Sequence, residues 1–152
     1  MPSKSPIDAE RLEVANLLQS AMDEGKSFDE IAVFVEAGAT FESDVVDVKL
    51  SSKDTLKAYW IWHKRFATAC PNLKSKVKAT HVNHKKREIT LVGNCSGTHT
   101  ETGGPVDPTG KKFKSSFVHV FKFNEEAEIV GLTKIWNDAS VFIQLGWPIQ
   151  SE

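Results

Sequence analysis

Apolar side chains recur three and four residues apart through the first seventy positions, and from Leu73 onward the spacing falls to two. Ser5 and Pro6, with Asp8 behind them, read as the cap and first turn of a helix whose stripe is Val14, Leu17, Leu18, Ala21 and Met22. Gly25 stops it. Ser27-Phe-Asp-Glu30 then has the form of a capping box for a shorter helix carrying Ile31, Phe34 and Val35, which ends near Gly38. The two make a helical hairpin. Residues 39–50 hold short β-prone pieces, Ala-Thr-Phe and Val-Val-Asp-Val, before Ser51 and Asp54 open a third helix. Its stripe is Leu56, Trp60, His63, Ala67 and Cys70, flanked by Tyr59 and Phe66, and Pro71 closes it.

The period-two half reads KVKATHV, a charged turn NHKKRE, ITLVGNCSGTHT, a long loop ETGGPVDPTGKK, FKSSFVHVFKF, a turn NEEAE, and IVGLTKIW. Four strands in this order form a meander, so the fold class is α+β, with helices packed on one face of a bent antiparallel sheet. The last stretch, Ile135 to Pro148, carries an Asn-Asp pair between Trp136 and Phe142. Asn137 or Asp138 caps a short final helix that Gly146 and Pro148 end.

Length changes little in this picture: 152 residues, 40% of them hydrophobic, form a single domain over 1–152, with residues 1–5 expected as a disordered tail. Charge excludes more. Nineteen basic and 20 acidic residues leave a net charge of −1, which provides no field for nucleic acid or an anionic membrane. Lys111, Lys112 and Lys114 read as a solvated strand edge. Cys70 and Cys95 are too few for a disulfide scaffold, which fits a reducing compartment. No apolar stretch has the length of a signal peptide or membrane span, so a cytoplasmic location is expected.

Two chemical readings stay open for the Asn-Asp pair. As a cap, Asp138 would hold its ionised form; buried beside Trp136 as an acid/base, it would have a raised pKa. His119 shares a strand face with Phe117 and Phe121, opposite Val118 and Val120, and is either a core histidine or a pocket-facing hydrogen-bonding group. His81 and His99 are weaker candidates, His99 reading as surface or turn chemistry ahead of a Gly-rich loop. His81 and His84, three apart on strand and turn, point to opposite faces, and no metal site is expected. There is no nucleophile elbow, no activated cysteine and no phosphate-cradling Gly loop.

"FATACPNLK" at 66–74, "GTHT" at 97–100, "PTGKK" at 108–112 and "QLG" at 144–146, in this order and spacing, resemble the SnoaL-like polyketide cyclases of the nuclear transport factor 2-like superfamily. The resemblance runs from about Ala9 to Pro148. It implies a cone-shaped α+β barrel with an apolar pocket open at one end, and intramolecular aldol chemistry on a small apolar carbonyl ligand without metal or organic cofactor. The family's acid stands nine residues before the Gly of "QLG"; here that position is Asn137, and Asp138 follows it. The site so implied has Asp138 as acid/base, with His119 and Asn137 orienting or polarising the ligand. Phe34, Trp60, Trp62, Phe66, Phe117, Phe121 and Trp136 form the walls. The alternative is a non-catalytic binding or dimerisation module of the same fold. A homodimer through the outer sheet face is expected, because such cones leave that face uncovered.

Overall fold

The computed structural model describes residues 5–43 and 55–149. Helix α1 (Pro6–Glu24) begins as the sequence predicts: the Ser5 hydroxyl accepts from the Asp8 amide, Pro6 occupies the first turn, and Gly25 ends it in the left-handed region at φ 66°. Residues 1–4 of the expected tail lie outside the described residues. The buried stripe is Val14, Ala15, Leu18, Ala21 and Met22. Leu17, placed on that stripe by its spacing, is 44% exposed, because at about 100° per residue it falls on the side of Leu18 away from Ala15, Gln19 and Met22, where the buried face lies.

The capping box at Ser27 forms, with the Ser27 amide donating to Glu30 Oε2 at 2.7 Å. The helix it opens is shorter than its pattern predicts. Helix α2 covers only Phe28–Ile31, a 3₁₀ turn follows over Ala32–Phe34, and strand β1 (Val35–Ser43) starts where the helix was expected to continue. Val33, Phe34 and Val35 have strand-favouring side chains, and pairing with a distant strand outweighs one further helical turn. Gly38, expected as the helix stop, lies at φ 80° within β1, where the register shifts between Val35 and Thr40. The Val-Val-Asp-Val piece and the Ser51–Asp54 start lie outside the described residues. Helix α3 (Leu56–Ala69) is capped by Thr55, which accepts from the Ala58 amide at 3.1 Å.

Strands β2 (Lys74–Asn83), β3 (Glu88–Thr98), β4 (Lys112–Phe123) and β5 (Ile129–Trp136) are the four meander strands, and helix α4 (Asp138–Leu145) follows. The sheet order is β1-β5-β4-β3-β2. All pairs are antiparallel except β1 with β5, which run parallel, so the sheet is not wholly antiparallel as expected but mixed by one edge strand, of which the pattern had marked only the Ala39-Thr40-Phe41 piece as β-prone. It curves around the helices without closing, as a cone-shaped α+β barrel. One cause of the bend is explicit: β2 bulges between Val77 and Ala79 opposite Gly93. A Cβ on Gly93 would stand 2.2 Å from the Lys76 carbonyl oxygen, so only glycine admits this approach.

Two buried clusters fill the interior. One joins α1, β1, the start of α3 and the middle of the sheet around Leu18, Phe41, Tyr59, Leu91 and Phe121. The other joins the end of α3, α4 and Trp147 around Phe66, Phe113 and Phe142. The site lies where they meet. Among the described residues no helix is long and apolar enough to cross a membrane.

Candidate functional site

Alternation along β4 turns Phe113, Phe117, His119, Phe121 and Phe123 inward, while alternation along β5 does the same for Leu132, Lys134 and Trp136. In register, His119 stands opposite Lys134 and Phe117 opposite Trp136. The sheet therefore sets an imidazole and an ammonium side by side on its inner face. They line a small cavity of about 20 Å³ with Gln19, Met22, Asp23, His63, Phe66, Leu73, Ser75, Cys95 and the two aromatic partners.

Lys134 is 5% exposed and forms no ion pair with any described residue. Its Nζ donates to the Tyr59 hydroxyl at 2.8 Å and lies 4.1 Å from the centre of the Trp136 ring. The aromatic faces offset part of the cost of burying this cation. Tyr59 leads to His63. The His63 Nε2 is 2.9 Å from the Met22 carbonyl, an obligate acceptor, so Nε2 carries the proton and Nδ1 accepts the Tyr59 O–H at 3.3 Å. Burial, followed by the nearby Lys134 charge, lowers the His63 pKa to about 3, against a weaker raising effect of the Met22 bond. His63 is thus neutral, as the network requires.

His119 is 2% exposed, with Nδ1 2.7 Å from Gln19 Oε1 and Nε2 buried without a partner. Burial, then Lys134, then His63 hold its pKa well below the ordinary histidine value. A neutral ring whose Nδ1–H donates to Gln19 presents a bare lone pair at Nε2. It is a base and an acceptor on that side, and it cannot donate there. Trp136 Nε1–H is likewise buried without a partner. The cavity thus carries an unused acceptor beside an ammonium with hydrogens to spare.

The expected site residues divide. His119, Phe66, Phe117 and Trp136 line the cavity. Phe121 is fully buried with its ring edge-on to His119, 6.0 Å between centroids. Trp62 stacks on Phe66 at 5.6 Å. Trp60 is buried in the first cluster and its indole donates to the Lys26 carbonyl at 2.8 Å, while Phe34 packs half-buried on the same cluster. Asn137 is the cap of α4: its Oδ1 accepts from the Ser140 amide at 3.0 Å. Asp138 is buried, its side chain is engaged, and it lies with Asn137, Ser140, Lys74, Lys76 and Lys114 along an open groove of about 1180 Å³. His119 takes Gln19 as its hydrogen-bond partner at Nδ1. His99, expected at the surface, is fully buried, because the loop after it folds back and Trp147 Nε1–H donates to its Nδ1 at 2.9 Å.

Sequence reasoning missed Lys134, Tyr59, His63 and Gln19 as site residues. The signal was present for two of them. Lys134 falls between Leu132 and Trp136 on the inward face of IVGLTKIW, and Gln19 falls beside Leu18 on the buried side of α1. Neither cysteine is activated: burial pushes Cys70 up to about 11 and raises Cys95 as well.

Solved structures of the same shape include a provisional SnoaL-like polyketide cyclase from Jannaschia sp. CCS1. It is 13% identical, with a TM-score of 0.77 over 97% of this chain and 99% of that one. A provisional isomerase from Bacillus subtilis is 17% identical, with a TM-score of 0.74 over 96% and 100% of the two chains. AclR, a provisional hydroxylase from Streptomyces galilaeus, is 17% identical, with a TM-score of 0.72 over 95% and 89%. At these identities the likeness is one of fold, and the three differ in assigned chemistry. No curated protein matches the chain. Residues 14–145 match the family model for SnoaL-like polyketide cyclase, and with nearly the whole described chain inside that match, the protein belongs to this family.

Proposed function

We propose that this protein is an acid/base enzyme of the cyclase or isomerase type, acting on a small carbonyl compound through its enolate. His119 is the base and Lys134 the partner of the developing oxyanion. Nε2 of His119 takes a proton from the carbon next to the carbonyl, and the charge that passes to oxygen meets the Lys134 ammonium. In a cyclisation the enolate carbon then attacks a second carbonyl of the same molecule, and the imidazolium returns its proton to the new alkoxide. In an isomerisation the proton returns to a different carbon. The observation that carries this reading is the buried, unpartnered Nε2 of His119 set opposite a lysine that has no ion-pair partner among the described residues. Asn137, at the position where the family keeps its acid, and Asp138 after it support the final helix and the open groove in this reading.

A second reading, a non-catalytic module of the same fold, is favoured by the cavity's size. About 20 Å³ accommodates one water-sized group, so a larger ligand enters only if Phe66, Phe117 or Trp136 moves. Deuterium exchange at the α-carbon of β-tetralone, followed by proton NMR in heavy water, separates the two. The enzyme reading expects exchange above the buffer rate, abolished in His119→Gln and strongly reduced in Lys134→Met. Exchange at the buffer rate in the unaltered protein, or unchanged exchange in His119→Gln, removes it.

The proposal extends to a homodimer through the outer face, where Val118 and Val120 are half-buried and Ile135 is 51% exposed. Light scattering should give twice the chain mass, falling to the chain mass in Ile135→Asp.

A further inference from the structure

His119 is held from behind by three groups in series. Gln19 Oε1 lies 2.7 Å from His119 Nδ1; Gln19 Nε2 donates to Ser75 Oγ at 3.1 Å; and Ser75 Oγ donates to Asp23 Oδ2 at 2.7 Å. The Ser75 amide donates to the same Oδ2 at 3.0 Å. Gln19 and Asp23 stand four residues apart on one face of α1, and Ser75 lies near the start of β2.

Each link permits one direction. A carboxylate only accepts, so the single hydroxyl proton of Ser75 is committed to Asp23. Ser75 Oγ then has only lone pairs left for Gln19, which must turn its NH₂ toward it. That leaves the Gln19 carbonyl oxygen facing the imidazole, and a carbonyl can meet only an Nδ1 that bears hydrogen. The orientation of an amide and the tautomer of a histidine, each free in isolation, are fixed together from Asp23.

We propose that Asp23 is a positioning residue that fixes His119 in the Nδ1–H tautomer through Ser75 and Gln19. It never touches the cavity's reacting atoms in this arrangement. Its effect is to keep Nε2 bare, because with the relay reversed the ring would carry its proton on Nε2 and offer a donor where a base is needed. The catalytic consequence rests on the reading of His119 as base; the tautomer itself does not.

Long-range proton–nitrogen NMR of the folded protein near neutral pH reports the tautomer directly. The unaltered protein should show His119 as Nδ1–H alone. Ser75→Ala, which removes the middle of the relay with little change in volume, should give a mixture of both tautomers, a shift of about tenfold in their ratio. Asp23→Ala should do the same. Asp23→Asn should restore the single form, because the Ser75 amide keeps the Asn carbonyl oxygen turned toward it and the hydroxyl still has an acceptor. A purely structural role for Asp23 would not predict rescue by Asn with failure by Ala. If Asp23→Ala does not fold, Ser75→Ala carries the test alone. An Nε2–H ring in the unaltered protein, or an unchanged Nδ1–H ring in Ser75→Ala, overturns the relay. Exchange of β-tetralone at the buffer rate in the unaltered protein, with the expected tautomers, would instead overturn the proposed function and leave the relay standing.

Discussion

Acid should unfold this protein earlier than its carboxylates alone would cause, and His63 is the group through which to show it. In the unfolded chain a histidine titrates at 6.5; in the folded protein His63 titrates at about 3. The folded-state pKa is depressed, so the neutral ring contributes its full stability above pH 6.5, and that contribution is lost as pH falls toward 3 while the unfolded chain gains the proton. Integrating the difference in bound protons from about pH 7.5 to about pH 5 gives a loss of about 2 kcal/mol, and the full span of the shift is worth about 5 kcal/mol. Against a domain stability of roughly 5–15 kcal/mol, this is a large fraction. His119, also depressed, adds a loss of the same sign. Stopping near pH 5 stays above the ordinary 3.8 of Asp8 and Asp23, whose shifts oppose one another: Asp8 is lowered and Asp23 raised. The assay is urea unfolding at the two pH values in the unaltered protein and in His63→Gln. The variant will be weaker at pH 7.5, because it loses the Tyr59 and Met22 contacts, but its further loss on going to pH 5 should be smaller by about 2 kcal/mol. An equal loss in both proteins would show that His63 takes up its proton without cost and refute the argument from burial.

Gly93→Ala should cost several kcal/mol, because its Cβ would meet the Lys76 carbonyl oxygen at 2.2 Å and the strand pair would have to part; thermal melting measures it. Asn137→Ala should cost about 1 kcal/mol by loss of the α4 cap, while Asn137→Asp should keep the cap and come within a few tenths of the original stability.

Much of the fold was legible because local rules and tertiary packing agree over most of its length. Ser5, Ser27 and Gly25 cap where the sequence says they should, and the four meander strands follow the alternation that names them. Disagreement came where a distant partner decides the outcome. Val35 fits a helical stripe as well as a strand, and only its pairing with Ile129 of β5, far along the chain, selects the strand. The site was half legible for a similar reason. His119 stood out because it interrupts an aromatic strand, whereas Lys134 carries only the weaker signal of its place between Leu132 and Trp136, on a strand whose other face bears Ile129 and Ile135. Asn137 and Asp138 drew attention through the family's spacing, whereas the arrangement of Gln19, Ser75 and Asp23 depends on α1 lying against β2, a contact with no periodic signature.

The parallel pairing of β1 with β5 bears on the order in which the chain assembles. Strands β2 to β5 join neighbours through short turns or one loop, so each pair can zip from its own connection. Val35 and Ile129, by contrast, are about ninety residues apart in sequence, and bringing them together costs roughly 2–3 kcal/mol more chain entropy than closing a tight hairpin. That cost falls before any of the pairing's reward is collected, so β1 should dock last, onto a meander already formed. Until it does, β5 is an open edge that carries Lys134 on its inner face. Substitutions in β1 should therefore hasten unfolding while leaving the folding rate almost unchanged, and those in the β3–β4 pair should slow folding itself.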